Sequence, residues 1–253
     1  MSPKSILIAC MPKSGSTFLA NTIANLHCFA KYSLVPAYGF REQEIEEARI
    51  LSFNENVLFN RKYNKEAKSK FFVAQHHVRN SKITDEICER HKIFRVILCR
   101  NLKDIIFSLK DHFVDESIYT SSARVPSEYF SWEEDKKEEF IVDFIMPWYI
   151  NFFIGWSKYN DDFTKIIWYE DLIANKVETI SSILKAAEFT QINEDDIIAA
   201  VNTKPKATDR RSTNRFNKGI SGRGKNLSEI ASAKLLKLLD YYKLDDSILE
   251  LLY

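Results

Sequence analysis

Short apolar runs alternate with longer amphipathic stretches along this chain, a pattern that predicts strands and helices in turn. The runs lack a regular polar alternation, which is typical of strands that are buried on both faces of a parallel sheet. Four such runs occupy residues 6–11, 71–74, 93–99 and 166–168. We therefore predict the α/β fold class, with a central parallel sheet, helices on both faces, and the functional site at the carboxyl ends of the strands.

Apolar residues recur at helical spacing between these runs. Leu19, Ile23 and Leu26 predict a helix directly after the first strand. Pro147 is expected to kink or divide a long helix predicted near the middle of the chain. The remaining intervals predict helices at residues 42–68 (one or two), 81–91, 133–160, 177–187, 197–201 and 235–253, with an extended piece at 32–40 and a flexible loop at 115–132.

Length and composition fit one large domain. The chain has 253 residues, and its 45% of hydrophobic residues is enough for a substantial core, so we predict a single domain over residues 1–253. The formal net charge of +1 excludes a surface that is built as a whole for nucleic acid. Any anion-binding site must therefore come from a local cluster of basic residues.

The cysteines do not indicate a metal site, and the start of the sequence does not indicate a targeting segment. Residues 1–5 carry no signal-peptide pattern, and the first apolar run is too short to span a bilayer. We expect a cytoplasmic protein without a membrane span and without a metal. Reduced structural thiols are expected at the four cysteines, which lack metal-ligand spacing: Cys10, Cys28, Cys88 and Cys99.

The polar loop after the first strand is suited to binding a phosphate group. It lies where a helix begins, and the backbone N–H groups of a helix N-terminus lack partners and favour negative charge. Gly15 allows the main chain to come close to a ligand. For the loop alone, a Ser/Thr helix cap with an incidental lysine is the alternative interpretation. The loop reads Pro12-Lys13-Ser14-Gly15-Ser16-Thr17-Phe18.

The spacing within this loop argues against a nucleoside triphosphate as its ligand. A triphosphate loop places its lysine after the second glycine of G-x-x-x-x-G-K-[ST], whereas Lys13 precedes the single glycine of this loop. The loop instead resembles the 5′-phosphosulfate loop of sulfotransferases that use 3′-phosphoadenosine 5′-phosphosulfate (PAPS), and the resemblance implies a P-loop-like sulfotransferase fold. It also implies that Lys13 stabilises the leaving group and that the cofactor is bound by Lys13, Ser14, Gly15, Ser16, Thr17 and Phe18.

Two adjacent histidines follow the second predicted strand. The side chains of His76 and His77 point to opposite faces of an extended segment, so at most one of them is expected to face a given site. Buried, hydrogen-bonded histidines without a catalytic role are the alternative. The family resemblance implies that His77 is the general base on the acceptor hydroxyl, with His76 as the second choice. Gln75 stands where cytosolic relatives often have a lysine.

Two further motifs resemble parts of the family's nucleotide site. Arg100 follows the third predicted strand and Ser108 lies on the helix after it, which resembles the family's 3′-phosphate site. Arginine can fork onto two phosphate oxygens and keeps its charge, so it suits a dianion. Taken singly, Arg100 also fits an ion pair with Asp104. Tyr169 opens the sequence Tyr-Glu-Asp-Leu that follows the corresponding strand in the family, which implies a position near the adenine.

A basic, glycine-rich segment completes the resemblance. Residues 204–225 contain eight basic residues against a single acid. The segment resembles the family's Arg-Lys-Gly-x-x-Gly stretch, which implies that Asn217, Lys218 and Gly219 contact the cofactor. Asn217 replaces the usual arginine, and Arg215 or Arg223 is expected to supply the missing charge. A basic linker for RNA or an acidic partner is the alternative.

These motifs, in the family's order, predict a sulfotransferase that moves a sulfuryl group from PAPS to an acceptor hydroxyl, or less favourably to an amine. The expected acceptor is a small molecule or a glycan, and residues 32–40 would line its pocket; no nucleic acid partner is expected. The acceptor's identity and the oligomeric state are left open. Two other classes remain: a nucleotide kinase, which would need Mg²⁺ ligands, and a non-catalytic nucleotide- or RNA-binding protein, which would have no use for His77.

Overall fold

A parallel five-stranded sheet is the centre of the fold in the part of the chain that the structure describes. The computed structural model describes residues 5–35, 44–63, 70–115, 118, 123–159, 161–203 and 221–253. The strand order is β2-β3-β1-β4-β5, and every pairing is parallel. This confirms the predicted fold class. The strands are β1 (Ser5–Cys10), β2 (Phe29–Lys31), β3 (Phe71–His76), β4 (Ile93–Cys99) and β5 (Thr164–Trp168).

Helices connect the strands and follow the last of them. Two short 3₁₀ helices, Ser127–Ser131 and Arg223–Asn226, also lie in the described residues. The α-helices of the described residues are α1 (Ser16–Ala24), α2 (Glu47–Tyr63), α3 (Lys82–His91), α4 (Leu102–Asp115), α5 (Glu134–Phe144), α6 (Met146–Ser157), α7 (Tyr169–Ala174), α8 (Lys176–Ala186), α9 (Glu194–Asn202), α10 (Glu229–Tyr241) and α11 (Asp246–Leu252).

The chain forms two compact units, and each is built from two separate stretches of sequence. The first unit comprises Met1–Cys99 and Trp156–Phe216 and contains the sheet. The second unit comprises Arg100–Gly155 and Asn217–Tyr253, and its described residues are mainly helical. The expectation that residues 1–253 form one domain therefore stays a prediction.

The central strand β1 is covered on both faces, as the apolar run predicts. Ile6, Ile8 and Cys10 point to one face and pack in a core with residues of α1, α8 and α9. Leu7 and Ala9 point to the other face and are equally buried. On that second face, the neighbouring strand β3 packs against α2 through the rings of Phe72 and Phe53, whose centroids lie 5.2 Å apart. Helices thus cover both faces of the sheet.

The long helix predicted over residues 133–160 is divided into α5 and α6. The break lies at Ile145, and Pro147 is the second residue of α6, where its missing N–H removes no helical hydrogen bond. By length and composition alone, Glu134–Ser157 could cross a membrane. Half of its most apolar window is buried inside the protein, however, and core helices of soluble proteins pass the same test.

Residues 123–132 are packed, in contrast to the flexible loop predicted from their polar and aromatic composition. Ser127–Ser131 forms a 3₁₀ helix, and the side chain of Tyr129 is fully buried. The Tyr129 ring lies 5.5 Å from the Phe113 ring and 5.7 Å from the Phe140 ring, measured between centroids. These edge-to-face contacts anchor the segment to α4 and α5.

Candidate functional site

The loop between β1 and α1 presents a helix N-terminus at the carboxyl edge of the sheet. Lys13 and Gly15 both adopt left-handed backbone conformations, with φ of 66° and 80°, on either side of Ser14. Alternation of this kind turns successive N–H groups towards one side and forms a concave anion site. Gly15 is the N-cap of α1 and has no side chain to accept the first helical N–H groups. The loop geometry therefore fits a phosphate.

Some of the predicted cofactor residues in this loop have side chains that serve the fold. Ser14 is fully buried, and its Oγ donates a 2.6 Å hydrogen bond to the Met11 carbonyl oxygen, which closes the loop. The Phe18 side chain packs in the core of the first unit. Ser16 and Thr17, the first two residues of α1, carry N–H groups of the helix N-terminus. A bound anion would thus meet mainly backbone groups and Lys13.

His77 lies at the carboxyl end of β3, beside the strand that leads into this loop. Its Nδ1 is 3.0 Å from the Cys10 carbonyl oxygen and 3.3 Å from the Cys10 Sγ. A carbonyl oxygen can only accept, so Nδ1 carries the hydrogen in this contact. The lone pair of the neutral ring is then on Nε2, as a general base requires. The structure therefore places His77 beside Cys10, the last residue of β1 before the loop, within the first unit.

His76 makes a different contact and is almost fully buried, with 5% of its surface exposed. Its Nε2 accepts a 2.9 Å hydrogen bond from the backbone N–H of Leu34. Burial lowers the pKa of His76 to about 4, and the nearby charges of His77 and Arg49 add to the effect. His76 is thus neutral near pH 7 and is engaged in holding the segment before α2.

Cys10 belongs to this cluster, although its position in an apolar strand predicted only a structural thiol. Besides the contacts to His77, its Sγ lies 3.6 Å from the Nε2 of Gln75. The one available sequence signal was that Cys10 ends the strand just before the loop. The strand register explains the contact between Cys10 and His77: β1 and β3 pair with Ala9 opposite His76, which brings the next residue of each strand together.

Tyr169 opens α7 directly after β5, at the same carboxyl edge of the sheet. It is buried, with 3% of its surface exposed. The order of the sheet places β4 between β5 and β1, so Tyr169 is two strands from the end of β1. The first unit thus carries Lys13, His77 and Tyr169 along one edge.

In the second unit, Arg100 and Ser108 are associated with α4. Arg100 comes two residues before the helix and Ser108 lies within it, and both are buried, at 5% and 4% exposure. The Arg100 Nη2 is 3.7 Å from the Asp104 Oδ2, an ion pair that is too long for a hydrogen bond. The pairing of Arg100 with Asp104, which the sequence left open, is thus present.

Arg223, one of the two candidates to replace the family's arginine, forms an ion pair on the surface of α4. Its Nη1 is 2.6 Å from the Asp111 Oδ2, and its guanidinium lies 5.5 Å from the centre of the Phe107 ring. The charge of Arg223 is therefore already balanced within the second unit. The other residues of this prediction lie outside the described residues: Arg215, Asn217, Lys218 and Gly219.

Two other features of the described residues add nothing to this site. Within the described ranges, no group of three or more His, Cys, Asp or Glu side chains could hold a metal ion, and the metal-free mechanism stays a prediction. A cavity of about 420 Å³ lies near the amino ends of β2 and β3, the edge opposite the loop. It is lined by His27, Cys28, Lys70, Phe71 and Gln191.

Comparison with known proteins identifies the family. Residues 3–226 match the sulfotransferase domain family, which is nearly the whole chain. The chain belongs to the sulfotransferase family, whose members transfer sulfuryl groups. No protein of curated function matches the sequence significantly.

Solved structures of sulfotransferases share the fold. A mouse sulfotransferase complexed with PAP superposes with a TM-score of 0.63 at 16% identity, and the match covers 97% of this chain and 85% of that one. Retinol dehydratase in complex with androsterone and the inactive cofactor PAP gives a TM-score of 0.51 at 14% identity, covering 97% of this chain and 82% of that one. At these identities the likeness shows the fold alone.

Proposed function

We propose that this protein transfers a sulfuryl group from PAPS to a hydroxyl group of a small-molecule or glycan acceptor in the cytoplasm. The observation that carries the proposal is the pairing, in a sulfotransferase-family chain, of an anion-binding helix N-terminus with an oriented histidine. Lys13 lies in the loop that leads into this helix N-terminus. The histidine is His77, whose tautomer is fixed by the Cys10 carbonyl oxygen.

The described residues fit the cofactor. PAPS, when bound, supplies an activated sulfuryl group with 3′-phosphoadenosine 5′-phosphate (PAP) as its leaving group. The N–H groups at the start of α1 would hold the 5′-phosphosulfate, and Lys13 would balance the charge that develops there. Arg100 and Ser108 would hold the 3′-phosphate, and Tyr169 would lie near the adenine. Two solved sulfotransferase-fold relatives contain PAP, which supports this nucleotide.

His77 would act as the general base. Because its Nδ1–H donates to the Cys10 carbonyl oxygen, the ring is held in one orientation with Nε2 as the basic atom. Nε2 would accept the proton of the acceptor hydroxyl as the oxygen becomes a nucleophile, a role that contributes about 10²- to 10⁴-fold to a rate. The metal-free chemistry expected from the sequence needs only this base and the positive charge of Lys13.

The acceptor class is proposed from the chemistry of the base and from a ligand bound in a structure of similar fold. A neutral histidine suits a hydroxyl group, which must lose a proton to react, better than an amine that is already nucleophilic when neutral. Androsterone, a steroid that carries a hydroxyl group, is bound in one of the structures of similar fold. We therefore favour a hydroxyl acceptor and place amines second.

The direct test is a transfer assay with radiolabelled PAPS and a panel of phenols, steroids, sugars and amines. We expect a labelled, sulfated product from at least one hydroxyl compound. His77→Ala should lower the turnover about 10²- to 10⁴-fold while the affinity for PAP stays close to wild type. Undiminished turnover of His77→Ala would show that another group is the base.

Nucleotide selectivity tests the class without an acceptor. Losing the charge-assisted hydrogen bonds of Arg100 and Ser108 to a 3′-phosphate should cost about 1.5–3 kcal/mol each, so PAP should bind at least about a hundredfold more tightly than ADP or ATP. Titration calorimetry measures the three affinities. Equal affinity for ATP and PAP would contradict the assignment of the 3′-phosphate site and favour the kinase alternative.

A further inference from the structure

Asp104, in the first turn of α4, is a buried carboxylate that holds two backbone N–H groups. Its Oδ2 accepts a 2.7 Å hydrogen bond from the N–H of Gly222, and its Oδ1 accepts one of 2.7 Å from the N–H of Gly224. The residue is only 3% exposed. Bonds from N–H groups to a charged carboxylate are the stronger class of hydrogen bond. Asp104 therefore fixes the backbone of residues 222–224 to the start of α4.

The packing at this contact depends on glycine. A Cβ atom on Gly224 would lie 2.3 Å from the Lys103 Cβ, which is closer than real Cβ atoms approach, and 3.1 Å from the Asp104 backbone nitrogen, which is a tight contact. Gly222 has a φ of 83°, a conformation that other residues rarely adopt. The glycines of this segment, which the sequence associates with a phosphate, thus let its backbone lie directly against α4.

The residues assigned to the 3′-phosphate lie next to Asp104. Ser108 is four residues after Asp104 on α4, so the two share one face of the helix, and Arg100 lies just before the helix begins. The carboxylate is 3.7 Å from the Arg100 Nη2, too far for a hydrogen bond but close enough to orient the guanidinium by charge. Asp104 therefore contacts both Arg100 and the glycine segment.

We propose that Asp104 is a positioning residue of the nucleotide site. It holds the backbone of residues 222–224 beside Arg100, so that this backbone and the guanidinium are fixed relative to each other before the 3′-phosphate binds. The proposal rests on the proposed function, which assigns Arg100 and Ser108 to that phosphate. Asparagine cannot replace the carboxylate, because its amide nitrogen would face one of the two N–H groups as a second donor.

The test compares two nucleotides that differ in the 3′-phosphate. The affinities of wild type and Asp104→Asn for PAP and for adenosine 5′-phosphate are measured by calorimetry. We expect the variant to bind PAP at least about tenfold more weakly and adenosine 5′-phosphate within about threefold of wild type, because only the 3′-phosphate contacts are disturbed. An equal loss for both nucleotides, or no loss for either, would overturn the proposal.

Asp111→Asn is the matched control on the same helix. It removes the partner of Arg223 but leaves both hydrogen bonds of Asp104. Partly exposed ion pairs contribute little free energy, so the affinity for PAP should stay within about threefold of wild type. A tenfold selective loss in this variant as well would overturn the specific role of Asp104.

Gly222→Ala is a second variant that decides the case if Asp104→Asn does not fold. An added Cβ would meet only the Lys225 Cε, at 4.0 Å, so its effect comes from the strained φ that moves the N–H away from Asp104. We expect the same selective loss for PAP, and an unchanged ratio of the two affinities would overturn the proposal. A wild-type protein that does not prefer PAP would overturn the proposed function too, whereas a preference that both variants keep would overturn this inference alone.

Discussion

Two neighbouring histidines at the end of β3 have separate tasks because each meets a different backbone group. His76 accepts a hydrogen bond from the N–H of Leu34, and His77 donates one to the carbonyl oxygen of Cys10. Because His76 accepts a hydrogen bond at Nε2, its ring must be neutral. The ring of His77 donates from Nδ1, which leaves the lone pair on its Nε2. The fold thus uses His76 to hold the segment before α2 and holds His77 against the end of β1.

The buried His76 should make stability depend on pH. Its folded pKa is about 4, against 6.5 in the unfolded chain, so between these values the unfolded state binds more protons than the folded state. Stability should therefore fall as the pH drops from 6.5 to 4, by about 3 kcal/mol from this residue at most. Urea denaturation at several pH values measures the slope.

His76→Gln is the control for this pH effect. A glutamine oxygen can accept the N–H of Leu34 but does not titrate, so the variant should be flatter than wild type between pH 6.5 and 4. Its affinity for PAP should be unchanged, since His76 is engaged in the fold. A slope as steep as in wild type would assign the effect to other groups.

The ion pair of Arg223 predicts a small effect on nucleotide binding. Its guanidinium is balanced by Asp111 and is partly exposed, so Arg223→Ala should weaken PAP binding by less than about threefold. Arg215→Ala is the comparison, because Arg215 is the other candidate for the missing family charge. Calorimetry on both variants decides between them, and a large loss with Arg223→Ala alone would reverse the assignment.

At the level of residues, the resemblance to the family implied Lys13, His77 and Arg100 as candidates, but it did not predict their contacts. The role of Cys10 depends on strand register, which places it beside His77 only once β1 and β3 pair. The engagement of His76 by Leu34 likewise joins residues 42 positions apart in sequence. Contacts of this kind arise from the tertiary fold and leave no local pattern.

At the level of elements, the apolar runs predicted four of the five strands of the described sheet. The missed strand, β2 (Phe29–Lys31), has three residues and is too short to show a pattern; it exists through its pairing with β3. A flexible loop was predicted over residues 115–132, whereas residues 123–132 are packed. The sequence did not show this packing, because the burial of Tyr129 depends on rings from α4 and α5. Short elements are thus specified by their neighbours more than by their own sequence.

Glu138 is expected to be an important support among the helices of the second unit. It is buried on α5, accepts a 2.6 Å hydrogen bond from the Lys110 Nζ of α4, and accepts one of 3.0 Å from the N–H of Ser228, the N-cap of α10. Burial alone would lower the pKa of Lys110, but its two carboxylate partners, Glu134 and Glu138, raise it overall, so the lysine is charged at neutral pH.

Removing this carboxylate should leave the N–H of Ser228 without its partner and the Lys110 charge with only the exposed Glu134. Glu138→Ala is expected to lower the free energy of unfolding by about 1–3 kcal/mol, the cost of leaving a buried donor unpaired. Glu134 contacts the same lysine but its side chain is 64% exposed, so Glu134→Ala should cost less than about 1 kcal/mol. Chemical denaturation of the two variants measures the difference, and equal losses would refute the special role of Glu138.

At the level of the whole molecule, connectivity predicts how the protein unfolds. The chain passes from one compact unit to the other three times, after Cys99, Gly155 and Phe216, so neither unit is a continuous piece of sequence. Because the segments of each unit are joined to segments of the other, unfolding of one unit would free the chain ends of the segments in the other. We therefore expect a single cooperative transition over residues 1–253, in agreement with the single domain predicted from length and composition.

Scanning calorimetry tests this expectation directly. A single transition requires the calorimetric and van't Hoff enthalpies to agree, at roughly 180 kcal/mol near 60 °C for a chain of this length. PAP at a hundredfold excess over its dissociation constant should add about 2.7 kcal/mol and raise the one midpoint by roughly 5–10 °C. Two separate transitions, or a midpoint shift confined to one of two transitions, would show that the units unfold independently and would contradict the single-domain prediction. With wild type as reference, Glu138→Ala should lower the same midpoint without splitting the transition, because a loss in one unit is shared by both when they unfold together.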